Sequence, residues 1–180
     1  MSSKVGRKPK RPSVQYNGHC DEHGIHVPMR IVLHDTESHD HAGIMDVRGI
    51  FDFWDRQGAG YGAHLVIDKH GNTGCGAAGD IILWHVANHN TGSIGIEQIG
   101  FARFSLRSWL ARPRQLRKVA QWLAWYSYYW EIPLVHSTVH GVCTHADFHG
   151  GHTDPGKGYP LKRVIKMAQK IRAKARDGRV

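Results

Sequence analysis

Five side chains able to bind a cation or move a proton crowd into one glycine-rich stretch, residues 142–159 (VCTHADFHGGHTDPGKGY): His145, Asp147, His149, His152 and Asp154. So much glycine and proline predicts a loop, with neither helix nor strand. Imidazole and carboxylate together suit a borderline cation such as zinc. A loop of this kind can fold back so that His145 and Asp154 meet at one ion. Two ligands are too few, because a catalytic zinc takes about three protein ligands and keeps a fourth position for water. His34 is the best third candidate. It ends the run MRIVL and is followed by the polar residues DTES, so it stands at a sheet edge where a cleft would form. Alone, it would read as a hydrogen-bonded histidine at a strand end; the distal loop makes it a ligand candidate.

Glu97 is the second notable residue. It lies in the small, apolar stretch SIGIEQIG, where an unpaired carboxylate is costly to bury. Either it faces solvent or it points into a polar site as a general base, beside a zinc-activated water.

These groups need a scaffold. Residues 29–33 read as a buried strand, and Ile44, Val47, Ile50, Phe51 and Trp54 mark an amphipathic helix between Gly43 and Gly58. Residues 60–67, a Lys-His-Gly-Asn turn and residues from Thr73 onward suggest a hairpin, and 93–99 a third strand. In that strand Ile94 and Ile96 face one way, Gly95 and Glu97 the other. A helix over 113–130 and a last helix from Pro160 complete an α/β fold: a single domain with a central mixed β-sheet flanked by helices. Residues 1–18, rich in Lys, Arg, Pro and Ser, read as a basic flexible arm, leaving 19–180 as the folded domain.

The length, 180 residues and 20.3 kDa, fits that single domain, and no apolar run approaches the ~20 residues that cross a bilayer. The formal charge is +9. Residues 1–12 carry five Lys/Arg and no acid, and residues 161–180 carry eight and one acid, so the body between them is slightly acidic. Basic ends suit a polyanionic surface or serve as solubilising tails. No helix-turn-helix and no aromatic–basic interleaving of the RNA-binding kinds is present, so no specific nucleic-acid partner is expected. Three irregularly spaced cysteines make no disulfide framework, and the N-terminus lacks the apolar core of a secretory signal. Synthesis in a reducing cytoplasm, as a monomer, is the expectation.

Five segments, in order, resemble a known family: IVLHDTES, GAHLVIDKHGN, WHVANHNTGSIGIEQIG, the helix ending in YYWEIP, and GVCTHADFHGGHTDPG. They span about residues 28–170. They are similar to the zinc-dependent N-acetylmuramoyl-L-alanine amidases of the amidase-2 type, which share a fold with peptidoglycan-recognition proteins. The resemblance is greatest to the amidase domains of phage endolysins, particularly those of phages of actinobacteria. It implies zinc (Zn2+) held by His34, His145 and Asp154, with Glu97 as catalytic acid/base. Where the family places an assisting lysine, this chain has His152, which can still donate to an oxyanion but loses its charge more readily as pH rises. A tyrosine used by some members is replaced by Ala63, with Tyr61 as a weak substitute. His85 and Asn90 match a substrate-lining stretch, where they either touch substrate or shape the loop; Trp84 and His64 are expected in the core or behind the site.

The implied reaction is hydrolysis of the amide between N-acetylmuramic acid and L-alanine in bacterial peptidoglycan. An endolysin of this kind would be made in the host cytoplasm and act on the cell wall after release. Its basic ends would hold it on anionic cell-wall polymers. The alternative of the same fold is a non-catalytic peptidoglycan-binding module. Two other clusters are weaker: HCDEHGIH (19–26) follows no standard zinc spacing and reads as a solvated lead-in, and WLAWYSYYW (122–130) reads as core. His39 and His41 read as cleft rim.

Overall fold

Strand β2 (Arg30–Asp35) sits inside a six-stranded sheet because both its faces are covered, and its side chains sort accordingly. Ile31 and Leu33 enter one apolar cluster; Val32 and His34 point to the other face. The structure, a computed structural model, describes residues 8–58, 60–148 and 150–176. The remaining strands are β1 (Tyr16–Asn17), β3 (Leu65–Ile67), β4 (Thr73–Cys75), β5 (Ser93–Gln98) and β6 (Gly141–Thr144). Their order is β1-β4-β3-β5-β2-β6. Only the β3–β4 hairpin is antiparallel; every other pairing is parallel, so this is the mixed sheet expected of an α/β domain.

Helices cover both faces. Helix α1 (Ile44–Gln57) ends at Gly58, whose φ of 55° gives the left-handed cap that glycine accepts without strain. It buries Val47 and Phe51 against Val66, Leu83 and Ile99. Helix α2 (Leu106–Leu110) is short and capped by the Ser105 hydroxyl. Helices α3 (Pro113–Tyr129) and α4 (Leu161–Arg176) pack on the opposite face of the sheet, where Leu116, Val119, Leu123, Val164 and Ala168 meet Ile94 and Ile96. No helix among the described residues is long and apolar enough to cross a membrane.

Two expectations are corrected here. Residues 1–7 of the basic arm lie outside the described residues, but residues 8–18 are not loose. Tyr16 and Asn17 pair with Gly74 and Cys75, Gln15 exchanges two 2.8 Å hydrogen bonds with Thr73, and the Lys8 ammonium lies 4.4 Å over the Trp125 ring. The free edge of β4 supplies backbone partners that no local pattern reveals. Likewise 142–159 is not loop throughout: Gly141–Thr144 is β6, hydrogen-bonded to β2, followed by a 3-10 turn over His145–Asp147.

Candidate metal centre and catalytic cleft

Parallel register places His34 directly beside Glu97, since β2 and β5 pair from Arg30–Ser93 to Asp35–Gln98. Both side chains therefore emerge on one face at the carboxyl ends of neighbouring strands, where open α/β sheets form clefts. The loop after β6 adds the rest. His145 follows β6, which borders β2 on its other side, and the chain returns so that Ala146 N–H donates to the Asp154 carbonyl.

His34, His145 and Asp154 converge. Nδ1 of His34 is 3.2 Å from Nδ1 of His145 and 3.1 Å from Oδ2 of Asp154, and His145 Nδ1 is 3.2 Å from the same oxygen. Three donors at the corners of a near-equilateral triangle fit one face of a tetrahedron: bonds of ~2.0 Å to a central zinc give edges of about 3.3 Å. Two buried imidazoles and a carboxylate suit zinc chemically as well. Among the described residues this is the one group of three or more such side chains close enough to share a metal ion. His149 of the same loop lies outside the described residues, and Asp147 instead caps the turn through Thr144 and accepts from His136 at 2.8 Å.

Behind His34 stands His85. Its Nδ1 is 3.1 Å from His34 Nε2, and its Nε2 faces the Ser93 carbonyl at 3.5 Å. With Nδ1 of His34 turned to a cation, Nε2 carries the proton and donates to His85. Burial lowers the pKa of both rings, most strongly that of His85, and so favours the neutral, ligand-competent form. The His85 ring fits only because β5 has glycine at 95: a Cβ there would lie 2.8 Å from it. His64, next in line, accepts from Gly95 N–H and donates to the Ile81 carbonyl, both at 2.9 Å, and is fully buried as expected.

The carboxylates divide by role. Burial works to raise the Asp154 pKa, but hydrogen bonds to His145 and His34 and their charge hold it well below the usual range. Glu97 goes the other way: burial, then the negative charges of Asp154 and Asp35, push its pKa well up. Its Oε2 is buried without a partner and the residue lines the cleft, so a carboxyl with a free oxygen stands on the strand next to His34. Asp35 is also raised, to about 7, chiefly by burial.

The cleft above has a volume of about 940 Å³. His152 is exposed on its rim, its ring stacked on that of His145 with centroids 3.8 Å apart. Tyr61 is partly exposed at the mouth. Asn90 lines the cleft, but its amide is committed to the loop: Oδ1 accepts from His85 and Val86 N–H, and Nδ2 donates to the Ala87 carbonyl. Thus His85 and Asn90 face inward through their hydrogen-bonding atoms. Trp84, expected in the core or behind the site, is instead half exposed on the cleft wall, stacked on His23 at 3.7 Å. Sequence reasoning also missed that Phe53 and Trp54 line the cleft, because the helical periodicity of α1 assigns apolar residues to the core without separating its two flanks.

The remaining clusters do not form sites. In 19–26, Cys20 is buried against Ala63, His23 bonds the Gly60 carbonyl and His26 bonds Gly92 and Gly79, so they point apart. In 122–130, Trp122 and Tyr126 are core while Trp125 and Tyr129 stack beneath Lys8. All three cysteines are free.

Comparison with known proteins agrees with this geometry. No curated protein sequence matches the chain. Solved structures do, at low identity: the N-acetylmuramoyl-L-alanine amidase LysC from Clostridium intestinale (TM-score 0.67, 16% identity, 88% of this chain and 99% of that one). The Ph2119 endolysin of a Thermus scotoductus bacteriophage aligns at TM-score 0.58 and 18% identity over 82% of this chain and 88% of its own. Drosophila peptidoglycan recognition protein SD aligns at 0.59 and 16%, over 86% and 85%. These likenesses show the fold. The sequence model of the Amidase_2 family, N-acetylmuramoyl-L-alanine amidase, matches residues 26–157, a span holding every side chain of the cleft described above, and the chain belongs to that family.

Proposed function

We propose that this protein is a zinc metalloamidase that hydrolyses the amide between N-acetylmuramic acid and the L-alanine of the peptidoglycan stem peptide. The observation that carries the reading is the donor triangle of His34, His145 and Asp154 with the buried, unpartnered Glu97 carboxyl on the neighbouring strand beside His34. A zinc ion held by those three residues would supply Lewis acidity for the amide carbonyl and lower the pKa of water.

The chain's own residues do the rest. His34 and His145 enter as neutral imidazoles, and Asp154 as a carboxylate that offsets part of a cation's charge. Glu97 takes the proton of the attacking water when ionised and delivers it to the leaving amine, the task its raised pKa suits. His152, stacked on His145 at the rim, is placed to donate to the oxygen that gains charge in the tetrahedral intermediate. Trp84, Tyr61, Phe53 and Trp54 line the cleft with aromatic surface against which sugar and peptide can pack while water is displaced.

The test is hydrolysis of a soluble N-acetylmuramoyl-peptide, followed by mass spectrometry. Free stem peptide with a new L-alanine amine is expected, lost on chelation and restored by zinc. Glu97→Gln is expected to lower kcat by about 10²–10⁴-fold while the metal stays bound. Muropeptide binding without cleavage would favour a recognition module of the same fold. The reading extends to a phage endolysin, made in the host cytoplasm and released to the wall at lysis, supported by the family and the endolysin fold likeness. Expression in the cytoplasm should then be tolerated until the inner membrane is permeabilised, when cells lyse.

A further inference from the structure

The helices on the side of the sheet away from the cleft carry charge of one sign. Helices α3 and α4 contain no acidic residue, and neither do residues 8–14 packed against them. On α4, Lys162, Lys166, Lys170 and Lys174 recur every fourth residue and are all exposed. Four residues of helix advance ~6 Å, so the ammonium groups form a row along one face. None is in an ion pair among the described residues.

The row runs into a groove. Lys174 forms one wall of a depression of about 520 Å³, together with Lys10 and Arg11 of the N-terminal segment and Lys118 of α3. Burial lowers the pKa of Lys118, whose Nζ is 3.5 Å from the Ser13 hydroxyl, and Arg11 lies 6.0 Å from the Trp122 ring. The groove is thus a fixed feature of the fold, lined by four cations and no acid. A solubilising surface interleaves both signs; a row of like charges leading into a cationic groove costs self-repulsion unless an anion relieves it.

We propose that this row and groove form a docking surface for a linear phosphodiester polymer of the bacterial wall, which holds the enzyme while the cleft on the other face works on the stem peptide. Successive phosphates along an extended phosphodiester chain can match the repeat of the lysines, and Arg11 offers the forked geometry that phosphate oxygens accept. The choice of a wall polymer rests on the amidase reading above; the charge complementarity does not.

The experiment measures co-sedimentation of the full chain with Gram-positive cell walls before and after hydrofluoric acid removes their phosphodiester polymers, and direct binding to poly(glycerol phosphate). Retention on untreated walls, its loss on stripped walls and its decline with salt are expected. Changing Lys162, Lys166, Lys170 and Lys174 to Gln together should lower the log–log salt slope for poly(glycerol phosphate) by about 3, as expected for four lost phosphate contacts. Hydrolysis of soluble muropeptide should stay unchanged, which also shows that the variant folds. Equal retention on stripped walls, an unaltered salt slope in the variant, or tighter binding to a DNA oligonucleotide than to poly(glycerol phosphate) would overturn the proposal. Loss of muropeptide hydrolysis in the unmodified protein would instead strike the amidase reading and leave the polymer-binding result standing.

Discussion

At the scale of single residues, the interest of the cleft lies in how histidines are held as much as in which ones face substrate. His85, which lines the cleft, also supports His34 through its ring nitrogen, and its tautomer is set by the Ser93 carbonyl. Partners of this kind orient a metal-binding imidazole, and losing one typically costs 10–100-fold in metal affinity. His85→Ala is therefore expected to weaken zinc binding by about that factor in a chelator competition, with partial recovery in His85→Asn, whose carbonyl oxygen can again accept from His34. Unchanged zinc affinity in His85→Ala would show that His34 needs no such support. The metal-ligand candidates were legible in the sequence because each carried its own local mark: a histidine closing a β-branched run, and a His…Asp pair in a glycine-rich loop. The inward role of His85 was not. The sequence showed a histidine near the cleft, but its orientation depends on the room left by Gly95 and on Asn90 holding the loop backbone.

At the scale of elements, strand pairing does the positioning. The parallel register of β2 with β5 sets His34 beside Glu97, and the residue just before β3, His64, is wedged between the Gly95 N–H and the Ile81 carbonyl. Burial lowers the His64 pKa from 6.5 to about 4. Between those two values the unfolded chain takes up a proton that the folded chain refuses, so stability falls as pH drops through that window and is full above it. The contribution at neutrality is on the order of 3 kcal/mol; His26 and His85, lowered for the same reason, act in the same direction. Urea unfolding between pH 7 and pH 4 should show this decline, and His64→Gln, which keeps a donor and an acceptor, should make it shallower. An equal slope in the variant would contradict it. The strands β2, β3 and β5 and helices α1, α3 and α4 were legible from periodicity and glycine caps, to within a residue or two for most. Strands β1 and β6 were not, because their two and four residues are strands only by virtue of the edges of β4 and β2 that receive them.

At the scale of the whole molecule, the sheet divides two kinds of work. One face gathers titratable groups and aromatic side chains around a cleft; the other carries apolar helix faces inward and a row of exposed lysines on α4 outward. Composition showed the basic ends but not that the folded chain brings residues 9–13 against α3 and α4 to make a groove. The whole account turns on whether three side chains separated by up to 120 positions grip one metal ion. Metal analysis of the purified protein alongside His34→Ala and Asp154→Ala tests this most directly. The account predicts about one equivalent of zinc per chain in the unaltered protein and far less in either variant, with both still folded. Full zinc occupancy in both variants, or a metal-free protein that hydrolyses the muramoyl amide at the same rate, would contradict it.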